Sequence, residues 1–586
     1  MRYSLFLSLL LLPLFAIQLS ANEWRSKIDP ELLTELESGG EVELIVAFSE
    51  QADLSMAKNL RGKIAKGQFV YQQVQAVATR SQAAVRNILT EAGQSFQVFA
   101  IANAIYTKVN LSLAAAIASR DEVLNLQPNP WVMLDRPMRD NTPVTGSRGV
   151  VEWGVQSIRA VEVWDLGYKG EGITVGGQDT GYAWEHPTLQ RQYRGWDGMT
   201  ADHNYHWHDA IREINLLHAD SIIDASNNPC GLDVDVPCDD HSHGTHTMGT
   251  MVGDDGDENQ IGVAPEAQWI GCRNMERGYG SPASYIECFD WFLAPTNLAG
   301  ESANPAVAPH VINNSWHCPP MEGCNEDNFD LMETAVNALR AAGVMVVVSA
   351  GNDGPECSTV QNPATIFEGS FTIGAINSVD TIANFSSRGP VTTDGSFRLK
   401  PNVVAPGVQV RSATRNGGYG TWNGTSMAAP HVAGAVALIL SAAPELAGEV
   451  DQLETILEET AVPLPFDQDC DPFPGLEVPN AVTGYGKIDV FAAVERALQI
   501  VANEEIEENQ WQIFPNPTSG QLWIGGMNET TTQLFQLFSA DGRLVRTDQL
   551  EMGLQLIDLS QLRAGLYTYR IGEGKALQAG RIIIQK

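Results

Sequence analysis

A serine within residues 424–434, Gly-Thr-Ser-Met-Ala-Ala-Pro-His-Val-Ala-Gly, stands where a nucleophile could act. Thr425 is a good N-cap residue, helix formers follow it, and Pro430 falls near the first turn, where a missing N–H is tolerated. Ser426 is therefore predicted in the first turn, where its N–H has no intrahelical partner and can stabilise an oxyanion at the positive end of the helix dipole. Gly424, which has no Cβ, would let a substrate backbone approach the hydroxyl. The alternative is a helix of small residues packed in a core.

A serine hydroxyl needs a base to take its proton and a third group to orient that base. Residues 172–181, Gly-Ile-Thr-Val-Gly-Gly-Gln-Asp-Thr-Gly, predict an apolar strand that leaves Asp179 at its carboxyl end, where sites form in open α/β sheets. Residues 240–249, Asp-His-Ser-His-Gly-Thr-His-Thr-Met-Gly, put His243 at a predicted helix start. Each segment alone also fits an ordinary turn aspartate or a polar loop histidine.

These three segments resemble the Asp, His and Ser motifs of the subtilisin-like serine peptidases, the subtilases, which follow one another in the same order. The resemblance implies that Asp179 orients the imidazole, that His243 is general base and then acid, and that Ser426 forms the acyl-enzyme. Residues 346–354, Val-Val-Val-Ser-Ala-Gly-Asn-Asp-Gly, resemble the oxyanion motif of the family. There the donor would be the side-chain amide of Asn352. A buried strand that ends in a polar turn is the alternative for this segment.

Further segments extend the resemblance over about residues 150 to 500 and bring it nearest to the bacillopeptidase F type. It implies an α/β fold with a subtilisin-like parallel sheet flanked by helices, and His246 resembles the structural histidine of the family. The chain departs from the family pattern at two places: Gln178 stands where an apolar residue is usual, and Thr247-Met248 replaces Val-Ala. Neither departure removes a catalytic group, so they bear on the packing of the strand rather than on the chemistry. The additional segments are residues 153–158, 160–164, 259–265, 311–316, 385–390 and 401–407.

The resemblance also implies that a substrate lies as an added strand between two enzyme segments. His317 and Gln361 stand where glycine is usual. Because Gln361 would lie on the floor of the primary pocket and Asp353 at its rim, we predict weak discrimination against large aromatic residues before the scissile bond. The implied substrate-binding residues are Gly278, Tyr279, Gly280, Ser315, Trp316, His317, Gly351, Asp353 and Gln361.

An acidic loop precedes residues 261–264, where many subtilases carry calcium. Oxygen ligands crowded on a turn suit that ion, although a solvated acidic turn is the simpler interpretation. A zinc site is a further alternative, but the sequence has no His-Glu-x-x-His motif. We therefore expect no required cofactor, and a structural calcium stays open as the alternative to a solvated turn. The calcium candidates are Asp254, Asp255, Asp257 and Asn259, and the histidines that raise the zinc alternative are His203, His206, His208, His218 and His241.

The N-terminus indicates export. Arg2, the apolar run over residues 5–17 and Ala21 have the order of a secretory signal peptide, residues 1–21, although a buried N-terminal helix is an alternative. The run is too short to span a membrane comfortably, and we expect no transmembrane segment in the mature chain. The formal net charge of -35 argues against nucleic acid or an anionic membrane as partner.

Eight cysteines in an exported chain predict up to four disulfides. Cys230 with Cys238, and Cys318 with Cys324, are the pairs nearest in sequence. The connectivity of the other four is open. They are Cys272, Cys288, Cys357 and Cys470.

Residues 22–140 predict a small α+β unit, with strands over 42–48 and 104–109 and helices over 69–89 and 111–118. The unit resembles a subtilase propeptide, which implies a folding catalyst and intramolecular inhibitor whose final strand, near residues 123–134, leads into the active site. The polar linker over residues 136–148 contains Pro and Gly and is a candidate for processing. The catalytic domain would then span residues 148–502.

After an acidic linker, residues 503–510, short alternating strands with turn signals predict a small β-sandwich over residues 511–586. This region resembles the C-terminal sorting domain of type IX secretion, whose machinery would carry the protein from the periplasm to the cell surface or beyond. A carbohydrate- or surface-binding module is the alternative. It has weak support because Trp511, Trp523 and Tyr567 form no clustered stripe in the sequence.

Three classes of function fit these patterns: a secreted serine endopeptidase that acts on proteins and peptides, an inactive subtilase fold used for binding, and a serine esterase. An inactive fold would be expected to have a broken motif, and all four motifs are intact. An esterase would have the Gly-x-Ser-x-Gly elbow, but Ala428 takes its last position. The endopeptidase is therefore the prediction.

Overall fold

The structure is a computed structural model that describes residues 23–134, 138–139, 151–215, 217, 228–316, 326–503, 511–526, 533–550, 553–572 and 578–585. The predicted signal peptide lies outside these residues, as do most of the processing linker and residues 504–510 of the acidic linker. His218, His317, Cys318 and Cys324 also lie outside them.

The N-terminal unit is a small α+β layer. Its elements are α1 (Pro30–Ser38), β1 (Val42–Phe48), α2 (Lys63–Ser81), α3 (Ala83–Ala92), β2 (Phe96–Phe99), β3 (Ala104–Val109), α4 (Leu111–Ala118) and β4 (Val123–Pro128). The antiparallel sheet has the order β2-β3-β1-β4. The helix predicted over residues 69–89 is divided at Gln82, whose buried amide donates to Asn103. The strand predicted over residues 123–134 is interrupted after Pro128, because Pro128 and Pro130 cannot donate to a ladder.

A sheet of seven parallel strands forms the middle region and confirms the predicted α/β class. Its elements are β5 (Val132–Met133), β6 (Met138–Arg139), α5 (Trp153–Ser157), α6 (Ala160–Asp165), β7 (Thr174–Asp179), β8 (Trp207–Asp209), α7 (His243–Val252), β9 (Gln268–Arg273), β10 (Met275–Glu276), β11 (Tyr279–Gly280), α8 (Pro282–Leu293), β12 (Val311–Asn314), α9 (Glu326–Ala341), β13 (Met345–Ser349), β14 (Phe371–Ile376), β15 (Val403–Pro406), β16 (Val410–Ala413), β17 (Tyr419–Asn423), α10 (Thr425–Ala442), α11 (Val450–Glu459) and α12 (Val490–Asn503). The sheet order is β15-β14-β13-β12-β7-β9-β8. The winding reverses beside β7, and ligands bind at the carboxyl ends of strands at such a reversal.

Both faces of this sheet are covered, which explains why its strands are almost continuously apolar. Val346 and Val348 of β13 pack in the same core as α8 and α9, whereas Val347 packs with α7, α10 and α12. Successive side chains of a strand point to opposite faces, so a single apolar run supplies both cores. Among the described helices, α10 is the one long and apolar enough to cross a membrane, yet 89% of its apolar window is buried, as in a core helix.

The C-terminal region is a β-sandwich, as predicted. Its strands are β18 (Gln512–Phe514), β19 (Gln521–Gly526), β20 (Gln533–Ser539), β21 (Leu544–Leu550), β22 (Gly553–Asp558), β23 (Gly565–Ile571) and β24 (Gln578–Ile584). One sheet has the order β18-β19-β22 and the other β21-β20-β23-β24. Leu522 and Ile524 of the first sheet pack against Phe535 and Ile571 of the second.

Three disulfides lie in the described residues. The predicted bridge between Cys230 and Cys238 is present. The pairs that the sequence left open are Cys272 with Cys288 and Cys357 with Cys470. The last bridge spans 113 residues of sequence and ties the segment after the oxyanion motif to the end of the middle region.

Candidate active site

Asp179 and His243 form a buried pair at the carboxyl edge of the central sheet. Asp179 ends β7, and His243 begins α7. The imidazole Nδ1 lies 2.8 and 2.9 Å from the two carboxylate oxygens of Asp179, and the backbone N–H of Thr180 donates to the same carboxylate at 2.7 Å. The carboxylate thus holds the proton on Nδ1 and leaves Nε2 as the acceptor. Nε2 of His243 is buried and has no hydrogen-bond partner among the described residues.

Ser426 lies in the first turn of α10 and is 3% exposed. Its Oγ donates to the backbone oxygen of Ser315 at 3.0 Å, and Oγ of Ser315 donates to the backbone oxygen of Ser426 at 3.1 Å. Pro430 explains the second bond, because its missing N–H leaves the oxygen of Ser426 without a helical donor. Trp422, just before the helix, has its ring centroid 6.5 Å from that of His243.

The predicted N-cap was wrong by one residue. Gly424 is the N-cap, and Thr425 is the first helical residue. The hydroxyl of Thr425 instead reaches across to the oxyanion segment, where it bonds to Asn352 Oδ1 at 3.0 Å and to the oxygen of Gly351 at 3.2 Å. Sequence reasoning missed this role because it considered the threonine only within its own helix.

The carboxamide of Asn352 is oriented by the start of α10. Its Oδ1 accepts from Thr425 N at 2.9 Å as well as from the Thr425 hydroxyl, so Nδ2 is on the side of the carboxamide away from Thr425. A Cβ at Gly424 would lie 3.9 Å from Asn352 Oδ1 and 3.7 Å from Ser426 N. The residues of the two motifs, far apart in sequence, are therefore neighbours.

Gln178, the departure noted in the sequence, belongs to a buried row of amides. Its Nε2 donates to Asn314 Oδ1 on β12, and its Oε1 accepts from Asn274 Nδ2 at 3.2 Å. All three residues are fully buried. The backbone N–H of Asn274 also donates to the oxygen of Asp179 at 3.0 Å. The row thus links the ends of three strands beneath the Asp179 and Ser315 positions, and this pairing of amides accounts for a polar residue in the strand.

The predicted substrate segment at residues 278–280 is already paired within the chain. Tyr279 and Gly280 pair antiparallel with Met133 and Val132. The N–H of Leu134 donates to the oxygen of Gly278 at 2.7 Å. The next short strand, β6, pairs with Trp422 and Asn423 of β17, which precede Ser426 in the sequence. The end of the N-terminal region therefore forms two short strands, of which β5 pairs with the predicted substrate segment and β6 with the strand before Ser426.

The other predicted substrate residues differ in burial: some side chains lie in the core and others are exposed. Trp316 is buried and stacks on Tyr285 with centroids 3.8 Å apart, so its side chain belongs to the core. Asp353 and Gln361 are exposed. The amide of Gln361 donates to the oxygen of Ser358 at 2.6 Å, so the side chain folds back on its own loop. Gly351, with φ of +98°, makes the turn between β13 and Asn352.

His246 is a structural side chain in this arrangement. It is buried, stacks on Trp422 with centroids 4.3 Å apart, and its Nε2 contacts the oxygen of Gly420 at 3.1 Å. Burial lowers the pKa of His246 to about 3. The ring therefore stays neutral near pH 7 and packs against Trp422 beside His243.

The acidic loop at residues 254–259 is held by protein groups. Asp254 accepts from Arg191 at 2.7 Å, Asp255 accepts from the amide of Asn259 at 2.6 Å, and Arg411 donates to Asn259 at 2.6 Å. The described part of the chain contains no group of three or more His, Cys, Asp or Glu residues placed to hold a metal ion.

The histidines of the zinc alternative are also engaged where the structure describes them. His203 contacts Tyr193, and His206 contacts the oxygen of Asp202. His208 contacts Glu287 at 2.8 Å, and His241 lies beside His243 with ring centroids 6.4 Å apart. These contacts give no support to a zinc site within the described ranges.

Two known protein families match separate regions of the chain. Residues 170–487, more than half of the chain, match the subtilase family, and residues 512–585 match the secretion system C-terminal sorting domain. Bacillopeptidase F of Bacillus subtilis (strain 168) is 32% identical over 509 residues, which are 81% of this chain and 33% of that protein. The chain thus spans a third of the length of that relative. Subtilisin E of the same strain is 27% identical over 420 residues, 71% of this chain and 90% of that protein.

A solved structure supports the fold. The epidermin leader peptide processing serine protease (EpiP) from Staphylococcus aureus matches with a TM-score of 0.54 and 16% identity, covering 80% of this chain and 100% of that chain. At this identity the likeness concerns the fold alone. The family match over residues 170–487 leads to one conclusion. The chain belongs to the subtilase family of serine peptidases.

Proposed function

We propose that the protein is a secreted serine endopeptidase that hydrolyses peptide bonds through an acyl-enzyme, with Asp179, His243 and Ser426 as its triad. The observation that carries the proposal is the buried contact of 2.8 Å between His243 Nδ1 and Asp179. That contact leaves the opposite ring nitrogen available as a base, and the ring of Trp422, just before α10, has its centroid 6.5 Å from that of His243. Family membership and the intact serine motif support the same assignment.

In the proposed reaction, Ser426 Oγ attacks the carbonyl carbon while His243 Nε2 takes its proton. Negative charge forms on the carbonyl oxygen, and the Ser426 N–H and Asn352 Nδ2 donate to it. Asp179 stabilises the imidazolium. The C–N bond then breaks as His243 gives the proton to the leaving amine, and a water molecule, deprotonated by His243, hydrolyses the acyl ester and restores Ser426.

The N-terminal unit acts in this proposal as an intramolecular inhibitor. The pairing of Val132 and Met133 with β11 supports it, because an extended segment of the same chain occupies the edge where a substrate would add. Cleavage near the end of this segment would open the cleft. The sorting domain suggests a secreted or cell-surface protein, and we propose export through the periplasm to the type IX machinery.

The decisive experiment compares casein hydrolysis by the wild-type chain and by Ser426→Ala. We expect no measurable turnover in the variant, because the acyl-enzyme cannot form. Ser441→Ala, on the same helix, is the matched control and should keep full activity, since the Ser441 hydroxyl bonds only within the scaffold, to Leu438 and Gly170. Equal hydrolysis by wild type and Ser426→Ala would refute the endopeptidase.

Two further measurements test the esterase and binding-fold alternatives and the predicted primary substrate pocket. Hydrolysis of a nitrophenyl ester with no cleavage of casein would favour the esterase, and inactivity on both would favour the binding fold. Peptide-library profiling tests the pocket proposal from Gln361 and Asp353, which expects a weak preference against large aromatic residues before the scissile bond. Strong cleavage after Phe or Tyr would refute it.

A further inference from the structure

Helix α2 of the N-terminal unit contacts the middle region through one set of residues. The N–H of Lys63 donates to the oxygen of Ala447 at 3.0 Å. The ammonium group of Lys66 is buried and donates to the oxygen of Gly448 at 2.7 Å and to Glu449 at 2.8 Å. These contacts fix the first turns of α2 against the segment between α10 and α11.

A different set of residues on the same turns contacts the C-terminal sandwich. The ring of Phe69 meets Phe514 edge-on with centroids 6.0 Å apart, and it meets Trp523 in the same way at 6.2 Å. Phe69 is 4% exposed, and Phe514 and Trp523 are each 6% exposed. Edge-to-face aromatic packing of this kind stabilises a contact beyond its buried area. The three rings share one core cluster with Leu554.

Amide groups frame this aromatic contact. Gln68 Oε1 accepts from Leu554 N at 2.8 Å, and the N–H of Arg61 donates to Gln512 Oε1 at 3.1 Å. Leu554 belongs to β22, the edge strand of its sheet. The side chain of Gln68 therefore satisfies an N–H that an edge strand would otherwise present to solvent. No ion pair joins α2 to the described part of the sandwich, so the contact should be insensitive to salt.

We infer that the N-terminal unit is the docking platform of the C-terminal sorting domain, so that excision of the unit frees the sandwich. The docking surface is Phe514, Trp523 and Leu554, and its partner is the turn of α2 that carries Gln68 and Phe69. While the unit is present, the sandwich is held on the body of the protein. Once it leaves, the aromatic and amide contacts with α2 no longer hold the sandwich, and the aromatic surface is uncovered. Release on excision rests on the proposed function, whereas docking does not.

The test is hydrogen exchange on the full-length chain carrying Ser426→Ala, in which the proposed self-cleavage cannot occur. Phe69→Ala should speed exchange on the order of tenfold in peptides covering β18 and β22, with β23 unchanged. Val74→Ala is the matched control, because Val74 lies on the same helix but lines a small cavity with Val77 and Ile101, away from the sandwich. Gln68→Ala removes a single acceptor on a half-buried side chain and should speed exchange at β22 without disturbing α2.

Faster exchange in β18 and β22 with Phe69→Ala, but not with Val74→Ala, supports the docking. Equally fast exchange in Phe69→Ala and Val74→Ala overturns the docking. So does a result in which neither Phe69→Ala nor Gln68→Ala exchanges faster than the parent chain. Because the chain is inactive by substitution, neither result depends on whether the protein is a peptidase, which the casein assay decides separately. In an active preparation that has lost its N-terminal unit, the same peptides should exchange as fast as in Phe69→Ala.

Discussion

Replacement of Gln178 by leucine tests whether the buried amide row positions Asp179, the proposed orienting carboxylate. Gln178→Leu keeps the volume of the side chain but removes both the donor to Asn314 Oδ1 and the acceptor from Asn274 Nδ2. Asn314 and Asn274 are fully buried, so no solvent replaces the lost partner. A buried polar group left without its partner costs about 1–3 kcal/mol. With two such groups, the free energy of unfolding should fall by roughly 2–6 kcal/mol.

The same substitution should also reduce turnover. Asp179 directly follows Gln178, and its backbone oxygen is held by Asn274 N at 3.0 Å. A misplacement of about 1 Å at a catalytic group costs on the order of 100-fold in rate. We therefore expect kcat of Gln178→Leu to fall by about 10- to 100-fold, with KM nearly unchanged, because the predicted substrate-binding residues lie on other segments.

Urea unfolding of Gln178→Leu in the Ser426→Ala background gives the stability change without self-digestion, and a chromogenic peptide gives kcat in the active background. Val175→Ala is the control, because it opens a cavity near the other end of the same strand without leaving a polar group unpaired. It should lower stability and leave kcat intact. If Gln178→Leu lowers the free energy of unfolding by less than about 1 kcal/mol and leaves kcat unchanged, the amide row does not position Asp179.

Three further predictions concern the proposed oxyanion donor, a buried carboxyl of α8 that contacts the N-terminal unit, and the acidic loop. Asn352→Ala should lower kcat by about 100- to 1000-fold, a magnitude measured in subtilisin itself; a drop of less than about fivefold would contradict the donor role. Burial raises the pKa of Asp290, which accepts from Ile101 N at 2.7 Å, to about 7. The folded full-length chain therefore binds the extra proton and loses stability as pH rises from about 4 to 7. Asp290→Asn in the Ser426→Ala chain should flatten the plot of melting temperature against pH over this pH range. An unchanged slope would argue against a role of Asp290 in this pH dependence. EDTA should leave the melting temperature unaltered because Asp254 and Asp255 have protein partners; a fall reversed by calcium would show that an ion is bound.

The sequence by itself identified the residue types of the candidate site, because each motif is a local feature. A helix start at Ser426, a strand end at Asp179 and a helix start at His243 are read from a few neighbouring residues. The strands of the N-terminal unit and the C-terminal sandwich follow in the same way from periodicity and turn residues, whereas the α/β class is implied by the resemblance to the subtilases.

Contacts between distant segments could be decided only by the tertiary structure. The hydroxyl of Thr425 binds Asn352 rather than its own helix, and the Trp316 ring turns into the core. The partners of Gln178, the bridge from Cys357 to Cys470, and the position of Phe69 against the sandwich depend likewise on which elements become neighbours. Local propensity carries no information on such neighbours, because burial and pairing of side chains are set by the packing of whole elements.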